Sequence, residues 1–326
     1  MTLARAERPR RSPGASRATV STTEPAHRAA QRRRHRRDQV TAWAFVLPLV
    51  IYLAAFYLYP LYRNLDLSLH HYTVRSFVDG DAPFSGWDNF RQVLHDPTFW
   101  PALRNTMVFT LASITVQYAA GLGLAVFFNR HFRLSGLLRA LFLVPWLLPL
   151  IVSSSTWAWM MNSESGVLNY ALHFVGVPPV DWLTSPHWAL TSVIIANIWI
   201  GIPFNLVILH SGLQNIPADL YEAASLDGAG PWQQFRRITF PLLRPVSAIT
   251  LLLGFVYTLK VFDLIWIMTK GGPGDASSTL ATWSYRLGFG SLLPQFGPGA
   301  AVGNILILIA LVFGLLYIRI QRRQDA

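Results

Sequence analysis

Few side chains in this 326-residue sequence could do chemistry, and the most unusual are charged residues inside apolar segments. Lys260 and Asp263 lie within "GFVYTLKVFDLIWIM", where an ionisable side chain is costly and usually faces a cavity or a partner. On a continuous helix, residues three positions apart share a face. Two hypotheses follow. Either this face, with Tyr257 and Trp266, lines a path for a polar solute, or Lys260 and Asp263 form a structural ion pair that locks this span to its neighbour.

Two asparagines in another apolar segment, "LTSVIIANIWIGIPFNLVIL", raise the same question. Asn197 and Asn205 lie on either side of Pro203, which removes one backbone hydrogen bond and is expected to bend a helix. An asparagine inside a membrane helix can contact a ligand. It can also bond a neighbouring helix, an interaction worth about 1–2 kcal/mol in model peptides. Both alternatives stay open for these two side chains.

Several catalytic chemistries lack their residues in this sequence. The absence of cysteine excludes thiol nucleophiles and Cys-based metal sites. A phosphate-binding loop requires GxxxxGK[ST], and the only lysines, Lys260 and Lys270, do not lie in that pattern. No HExxH pattern occurs, and the nine histidines are scattered. We therefore predict that the chain is not an enzyme and binds no cofactor or metal of its own.

The composition indicates that lipid is the solvent for most of the chain. Hydrophobic residues make up 52% and charged residues 13%, whereas a typical soluble domain has about 25% charged residues. A membrane-crossing helix needs about 20 mostly apolar residues, and lipid forces its backbone polar groups to pair internally. Six segments qualify, which predicts an all-α membrane protein with six transmembrane helices: Ala42–Tyr59, Met107–Phe128, Ala140–Met160, Leu190–His210, Ala248–Met268 and Ala300–Ile320.

The placement of charge predicts the orientation and the domain boundaries. Residues 1–40 are rich in arginine and poor in large apolar residues, which predicts a disordered basic tail. Arginines also occupy the loops after the second and fourth spans and the C-terminal residues 321–326, so both termini are predicted to be cytoplasmic. Residues 41–320 then form one multi-pass domain in the plasma membrane. We interpret the tail as an orientation signal; binding of anionic lipid stays open, and a nucleic-acid arm is disfavoured.

The loop of residues 211–246 is polar and basic, yet its prolines and glycines occur where helices begin and end. Its centre reads "NIPADLYEAASLDGAGPWQQFRRITFPLLRP". Pro217 suits the first turn of a helix and Gly228 suits its end. Pro231 suits the start of a second helix, which Pro241 would stop. The small side chains of "EAAS" would let another surface approach closely, so both a cytoplasmic docking element and an interfacial helix on lipid headgroups fit this pattern.

This stretch resembles the EAA loop of permease subunits in binding-protein-dependent ABC importers. The resemblance is carried by Glu222, Ala223, Ala224, Asp227, Gly228, Ile238 and Pro241, with Ala229, Phe235 and Pro245 in support. In that family the loop forms a coupling helix that inserts into a groove on a cytoplasmic ATPase subunit. The resemblance therefore implies that the first seven of these residues couple the chain to an ATPase. The family more often has Leu where this chain has Phe240.

Three further stretches are similar to sugar-type permeases of the same family. They read "GWDNFRQVLHDPTFWPALRNTMVFT", "LLRALFLVPWLLPLIVSSSTWAWMMNSESGVLN" and "LKVFDLIWIMTKGGPGDASSTL". Together they resemble the first of the two permease subunits in maltose and glycerol phosphate importers. The resemblance implies a type I ABC importer permease fold and the import of sugars or related polyols.

The same resemblance implies the partners. They are a cytoplasmic ATPase dimer that binds ATP and Mg, a second permease subunit, an extracytoplasmic solute-binding protein and membrane lipid, with no nucleic acid. The tentative substrate path comprises Asn197, Asn205, Tyr257, Lys260, Asp263 and Trp266. One alternative is a secondary transporter coupled to ions through Lys260 and Asp263, although such transporters usually carry inverted repeats, and none is visible. A scaffold or sensor that docks through the arginine tail is the other alternative.

Overall fold

The computed structural model describes residues 39, 43–80, 82–130, 132–290 and 293–324, and these fold into helices joined by loops. Numbered in chain order, the helices are α1 Trp43–Ser68, α2 Val74–Asp79, α3 Asp88–His95, α4 Phe99–Phe128, α5 Ser135–Leu147, α6 Leu150–Met160, α7 Val167–Phe174, α8 Ala189–Gln214, α9 Ala218–Leu226, α10 Pro231–Leu259, α11 Asp263–Met268, α12 Leu280–Phe289 and α13 Phe296–Gln324. The predicted tail of residues 1–40 lies outside the described residues except for position 39. The boundary expected after residue 320 is not a helix end, since α13 continues to Gln324.

The predicted all-α membrane fold is confirmed. Within the described ranges, α1, α4, α8, α10 and α13 are each long and apolar enough to cross a membrane, and α5 with α6 makes a sixth span if that bent pair is counted as one. The chain forms two compact units, Met1–Leu61 and Tyr62–Ala326. In the first unit, no residue from Trp43 to Leu61 is buried, so its many apolar side chains are free to face lipid.

The centre of the second unit is the contact between α4 and α8, with α10 packed against both. Gly121 of α4 lies so close to α8 that an added Cβ would come within 2.5 Å of the Cβ of Asn205. Small residues allow this close approach between membrane helices. Ala125, Leu206 and Leu243 are fully buried at the same contact. These three helices therefore form the rigid frame on which the site described below is built.

The third span is not the single helix predicted over Ala140–Met160. The α5 helix ends at Leu147, α6 begins at Leu150, and their directions differ by 94°. Leu148 is extended, with ψ of 141°, because the ring of the following Pro149 disfavours helical backbone in the residue before it. A single proline in the sequence thus turns one predicted span into a bent pair of helices.

The fifth span, predicted over Ala248–Met268, is also interrupted. The α10 helix ends at Leu259, the Val261 N–H donates to the Thr258 carbonyl at 3.1 Å, and α11 begins at Asp263. Lys260 follows the C-terminus of one helix and Asp263 opens the next, and each charge is favoured by the helix dipole at its own position. The prediction that Lys260 and Asp263 share a helical face is therefore wrong, and the described residues show no ion pair between them.

Pro241 does not stop the second helix of the loop, contrary to prediction. The α10 helix runs without a break from Pro231 to Leu259 because Phe235–Thr239 form one wider, π-type turn. In that turn the Phe240 N–H donates to the Phe235 carbonyl, five residues back. The extra residue gives room ahead of Pro241, whose ring would otherwise clash with the preceding turn.

Candidate functional site

A cavity of about 400 Å³ lies among α4, α8 and α10 in the second unit. Its polar lining comes from Gln117, Asn197, Tyr257 and Thr258, and its apolar lining includes Trp146, Leu150, Ile200, Phe204 and Val261. Small-molecule sites typically measure about 300–1,000 Å³ and combine mostly apolar walls with a few placed polar groups. The cavity therefore has the size and the lining of a site for a small polar solute.

The polar end of the cavity is held by a contact between α4 and α8. Gln117 Nε2 donates to the Asn197 carbonyl at 2.9 Å. Gly201, one turn further along α8, leaves the space that this contact needs, since an added Cβ would lie 2.3 Å from Gln117 Cδ. Asn197 Nδ2 is buried and has no hydrogen-bond partner among the described residues. An unmet buried donor costs about 1–3 kcal/mol, so this amide would gain from a partner.

The other wall of the cavity is a run of aromatic rings. Trp146 and Phe204 have ring centroids 6.2 Å apart, and Phe204 meets Tyr257 edge-on at 6.1 Å. Lys260 Nζ lies 5.0 Å from the centroid of the Tyr257 ring, a distance at which the ring quadrupole attracts a cation. The cavity thus joins amide groups and flat apolar rings, and one of these rings also contacts a positive charge.

Three of the residues predicted for the path lie together at this cavity: Asn197 and Tyr257 line it, and Lys260 contacts Tyr257. The other three lie elsewhere. Asn205 is buried and donates to the Gly201 carbonyl of its own helix at 2.9 Å. Trp266 packs against Phe262 and Tyr285, and Asp263 is exposed at the start of α11.

Sequence reasoning missed several residues of the cavity, chiefly Gln117, Gly201, Phe204 and Thr258. Gln117 carried a visible signal, because it is a large amide side chain inside the apolar run "LASITVQYAAGLG". The criterion that selected Asn197 would have selected it too. Gly201 and Phe204 had no comparable signal, since their role depends on which helix lies opposite them.

The loop that resembles a coupling element folds as α9 and a tight turn into α10. Glu222, Ala223 and Asp227 are exposed, Ala224 is half-buried, and Leu226 has 91% of its surface exposed. Gly228 ends the helix with φ of +78°, a left-handed conformation that glycine adopts without strain. This end of the loop therefore presents small, acidic and apolar side chains outward.

Side-chain hydrogen bonds fix α9 to the first turns of α10. The Tyr221 and Thr239 hydroxyls lie 2.9 Å apart, and Gln234 Nε2 donates to Ser225 Oγ at 2.9 Å. Ile238 and Pro241 are half-buried on either side of Thr239. A force applied to α9 would thus be transmitted to α10, the helix that carries Tyr257 and Thr258 of the cavity.

Comparison with known proteins identifies the family. Residues 117–326 match the family described as "Binding-protein-dependent transport system inner membrane component". The trehalose/maltose transport system permease protein MalF of Thermococcus litoralis is 35% identical over 89% of this chain and 96% of its own length. The lactose transport system permease protein LacF of Rhizobium radiobacter is 35% identical over 85% and 92% of the two chains.

Solved structures show the same fold. A bacterial ABC transporter involved in the import of the acidic polysaccharide alginate matches with a TM-score of 0.77 and 24% identity, over 90% of this chain and 99% of that chain. A second structure, of the alginate transporter with an alginate pentasaccharide-bound periplasmic protein, matches with a TM-score of 0.76 and 24% identity, over 88% and 96%. With a family match over residues 117–326, this chain belongs to the inner-membrane components of binding-protein-dependent transport systems. It is the permease subunit of an ABC importer and neither an enzyme nor an ion-coupled secondary transporter.

Proposed function

We propose that the chain forms half of the transmembrane pathway of an ATP-driven importer of sugars or related polyols, with the solute bound in the cavity between α4, α8 and α10. The observation that carries the proposal is that Asn197, whose amide has an unpartnered donor, lines the same cavity as the Phe204 and Tyr257 rings. A sugar offers hydroxyl oxygens to such a donor and an apolar ring face to aromatic side chains. The printed names of relatives, for trehalose/maltose, lactose and sulfoquinovosyl glycerol transport, support this solute class.

The remaining half of the pathway and the energy source belong to partner chains in this proposal. A second permease subunit completes the cavity, a solute-binding protein delivers the solute from outside, and a cytoplasmic ATPase dimer binds ATP and Mg. Both termini and α9 are cytoplasmic, as the arginines of the loops favour. Membrane lipid covers the apolar outer surface, and neither cofactor nor nucleic acid binds this chain.

The continuity of α10 supplies the mechanical link. Thr239, which contacts Tyr221 of α9, and Thr258, which lines the cavity, lie on this one helix about 28 Å apart at 1.5 Å per residue. When the ATPase dimer closes, α9 moves with it and carries α10 as a rigid element. Such rigid rearrangement opens the cavity alternately to the two sides of the membrane.

Removing the hydroxyl of Tyr221 should weaken this link without disturbing the fold. We expect Tyr221→Phe to lower ATP-dependent uptake about three- to fivefold, because one hydrogen bond contributes about 1 kcal/mol. Uptake is measured in proteoliposomes that hold the complete complex. Tyr62→Phe is the control, since Tyr62 is exposed in α1 and no hydrogen bond of its hydroxyl is described. Equal uptake by wild type and Tyr221→Phe would contradict the link.

The solute class is tested with the same reconstituted complex and a panel of sugars and polyols. We expect Asn197→Ala to raise the KM for the imported solute up to about tenfold, because a hydrogen bond of about 0.5–1.5 kcal/mol is lost. Asn215→Ala is the matched control, since Asn215 caps the same helix and its exposed amide bonds the Ser211 carbonyl locally. If the wild type imports none of the panel, the proposed function is wrong. An unchanged KM in Asn197→Ala would show that the solute does not bind in this cavity.

A further inference from the structure

The charge of Lys260 lies against Tyr257, one of the rings that line the cavity, and has no use in the function proposed above. Lys260 follows α10, and its exposed side chain places Nζ 5.0 Å from the Tyr257 ring centroid. Tyr257 and Val261, on either side of it in the sequence, both line the cavity. The ammonium group therefore lies beside a residue that a solute in the cavity would contact.

No anion of the described residues neutralises this charge. Asp263 is the acidic residue next to it in sequence, but the helix break separates the two and no ion pair forms. In the following loop, Asp275 is paired with Arg286. An ammonium group in an otherwise apolar segment is unfavourable and usually marks a pathway or a partner of opposite charge. The ring of Tyr257 compensates only part of the cost of this charge, because cation–π attraction is weaker than the attraction of an ion pair.

The dipole of α10 also favours a positive charge at Lys260, since this residue follows the C-terminus of the helix. That effect is the same whatever solute is present. A role in solute recognition differs from it in one measurable respect, because it depends on the charge of the solute. The two can therefore be separated by comparing a neutral with an acidic solute.

We propose that the imported saccharide carries an anionic group, a carboxylate, sulfonate or phosphate, that pairs with Lys260 Nζ. The sugar part then lies against Tyr257 and accepts a hydrogen bond from Asn197 Nδ2. This inference rests on the proposed function and narrows its solute class to acidic saccharides. The anionic group of the solute acts as the counter-ion of Lys260 only while the solute is bound. Lys260 therefore favours anionic solutes at the binding step.

The test uses the complete complex in proteoliposomes and a panel of neutral oligosaccharides with their uronic-acid counterparts of equal length. With the solute-binding protein saturated by each member in turn, we expect the wild type to import an acidic member at least tenfold faster than its neutral counterpart. Lys260→Met should lower uptake of the acidic member at least tenfold and change that of the neutral member less than twofold. Lys260→Arg should retain most acidic uptake. Lys270→Met is the matched control, because Lys270 is the other lysine and is exposed in the loop after α11.

Four results would overturn the inference. Faster uptake of the neutral member by the wild type, when the binding protein is saturated by each member, would mean that the cavity does not select for anions. If Lys260→Met lowered the uptake of both members equally, the charge would have a structural role. If the purified variant complex lost the second permease subunit, the charge would pair with a carboxylate of that subunit. If the wild type imports no saccharide of either kind with ATP, the proposed function fails as well, which distinguishes that case from the first three.

Discussion

Charge reversal at Glu222 is expected to abolish ATP-driven uptake while the permease itself stays folded. Glu222 is exposed on α9, and no hydrogen bond or ion pair of its side chain is described within the chain. Its replacement by arginine therefore removes no contact that holds α9 to α10. In the groove of an ATPase, however, an unpaired or repelling charge costs about 2–5 kcal/mol. Since about 1.4 kcal/mol equals a factor of ten, Glu222→Arg should lower uptake at least about 30-fold.

Two measurements locate this defect. The ATPase should no longer copurify with Glu222→Arg, and the isolated variant should keep the thermal stability of the wild type. Glu164→Arg is the matched control, because it reverses an equally exposed carboxylate in the loop between α6 and α7. That variant should retain the ATPase. Normal ATPase capture by Glu222→Arg would show that α9 is not the docking element, and the interfacial-helix interpretation would then be preferred.

The number and approximate positions of the spans could be predicted from the sequence, but their helix ends and breaks could not. Apolar runs of about 20 residues mark spans because lipid imposes that length. The bend between α5 and α6 could have been predicted from the sequence, because it follows from the local effect of Pro149 on the backbone of Leu148. The continuity of α10 through Pro241 was not, because it depends on the wider turn at Phe235–Thr239. Whether a proline stops or bends a helix is decided by such neighbouring geometry.

The candidate site shows the same division between chemistry and geometry. Asn197 was selected as a polar group inside an apolar run, and Tyr257 as a neighbour of Lys260 and Asp263 on one expected helix face; both line the cavity. The pairing of Lys260 with Asp263 failed because it assumed an unbroken helix. The Gln117 contact requires Gly201 to lie opposite it on another helix. Residue type therefore indicated which side chains could bind a solute, and only helix packing determined which of them meet.

Helix packing can be tested at Gly121, where we expect a single added methyl group to lower the stability of the chain. An alanine Cβ at this position would lie 2.5 Å from Asn205 Cβ and 3.1 Å from the Leu206 backbone nitrogen. Neither atom belongs to the far end of a flexible side chain, so α4 and α8 must move apart. Overpacking of this kind costs about 1–3 kcal/mol. Thermal unfolding of the detergent-purified chain, followed by tryptophan fluorescence, should show a clearly lower Tm for Gly121→Ala.

Gly123 on the same helix provides the matched control, because an added Cβ there meets nothing within 4 Å. Gly123→Ala should leave Tm unchanged or raise it, since alanine favours a helix over glycine by about 1 kcal/mol. The Gly121 variant should also lose affinity for solute, because Gln117 lies one turn away on α4 and bonds Asn197 across the same contact. Equal Tm values for the two variants would mean that α4 and α8 are not held at the close distance that builds the cavity.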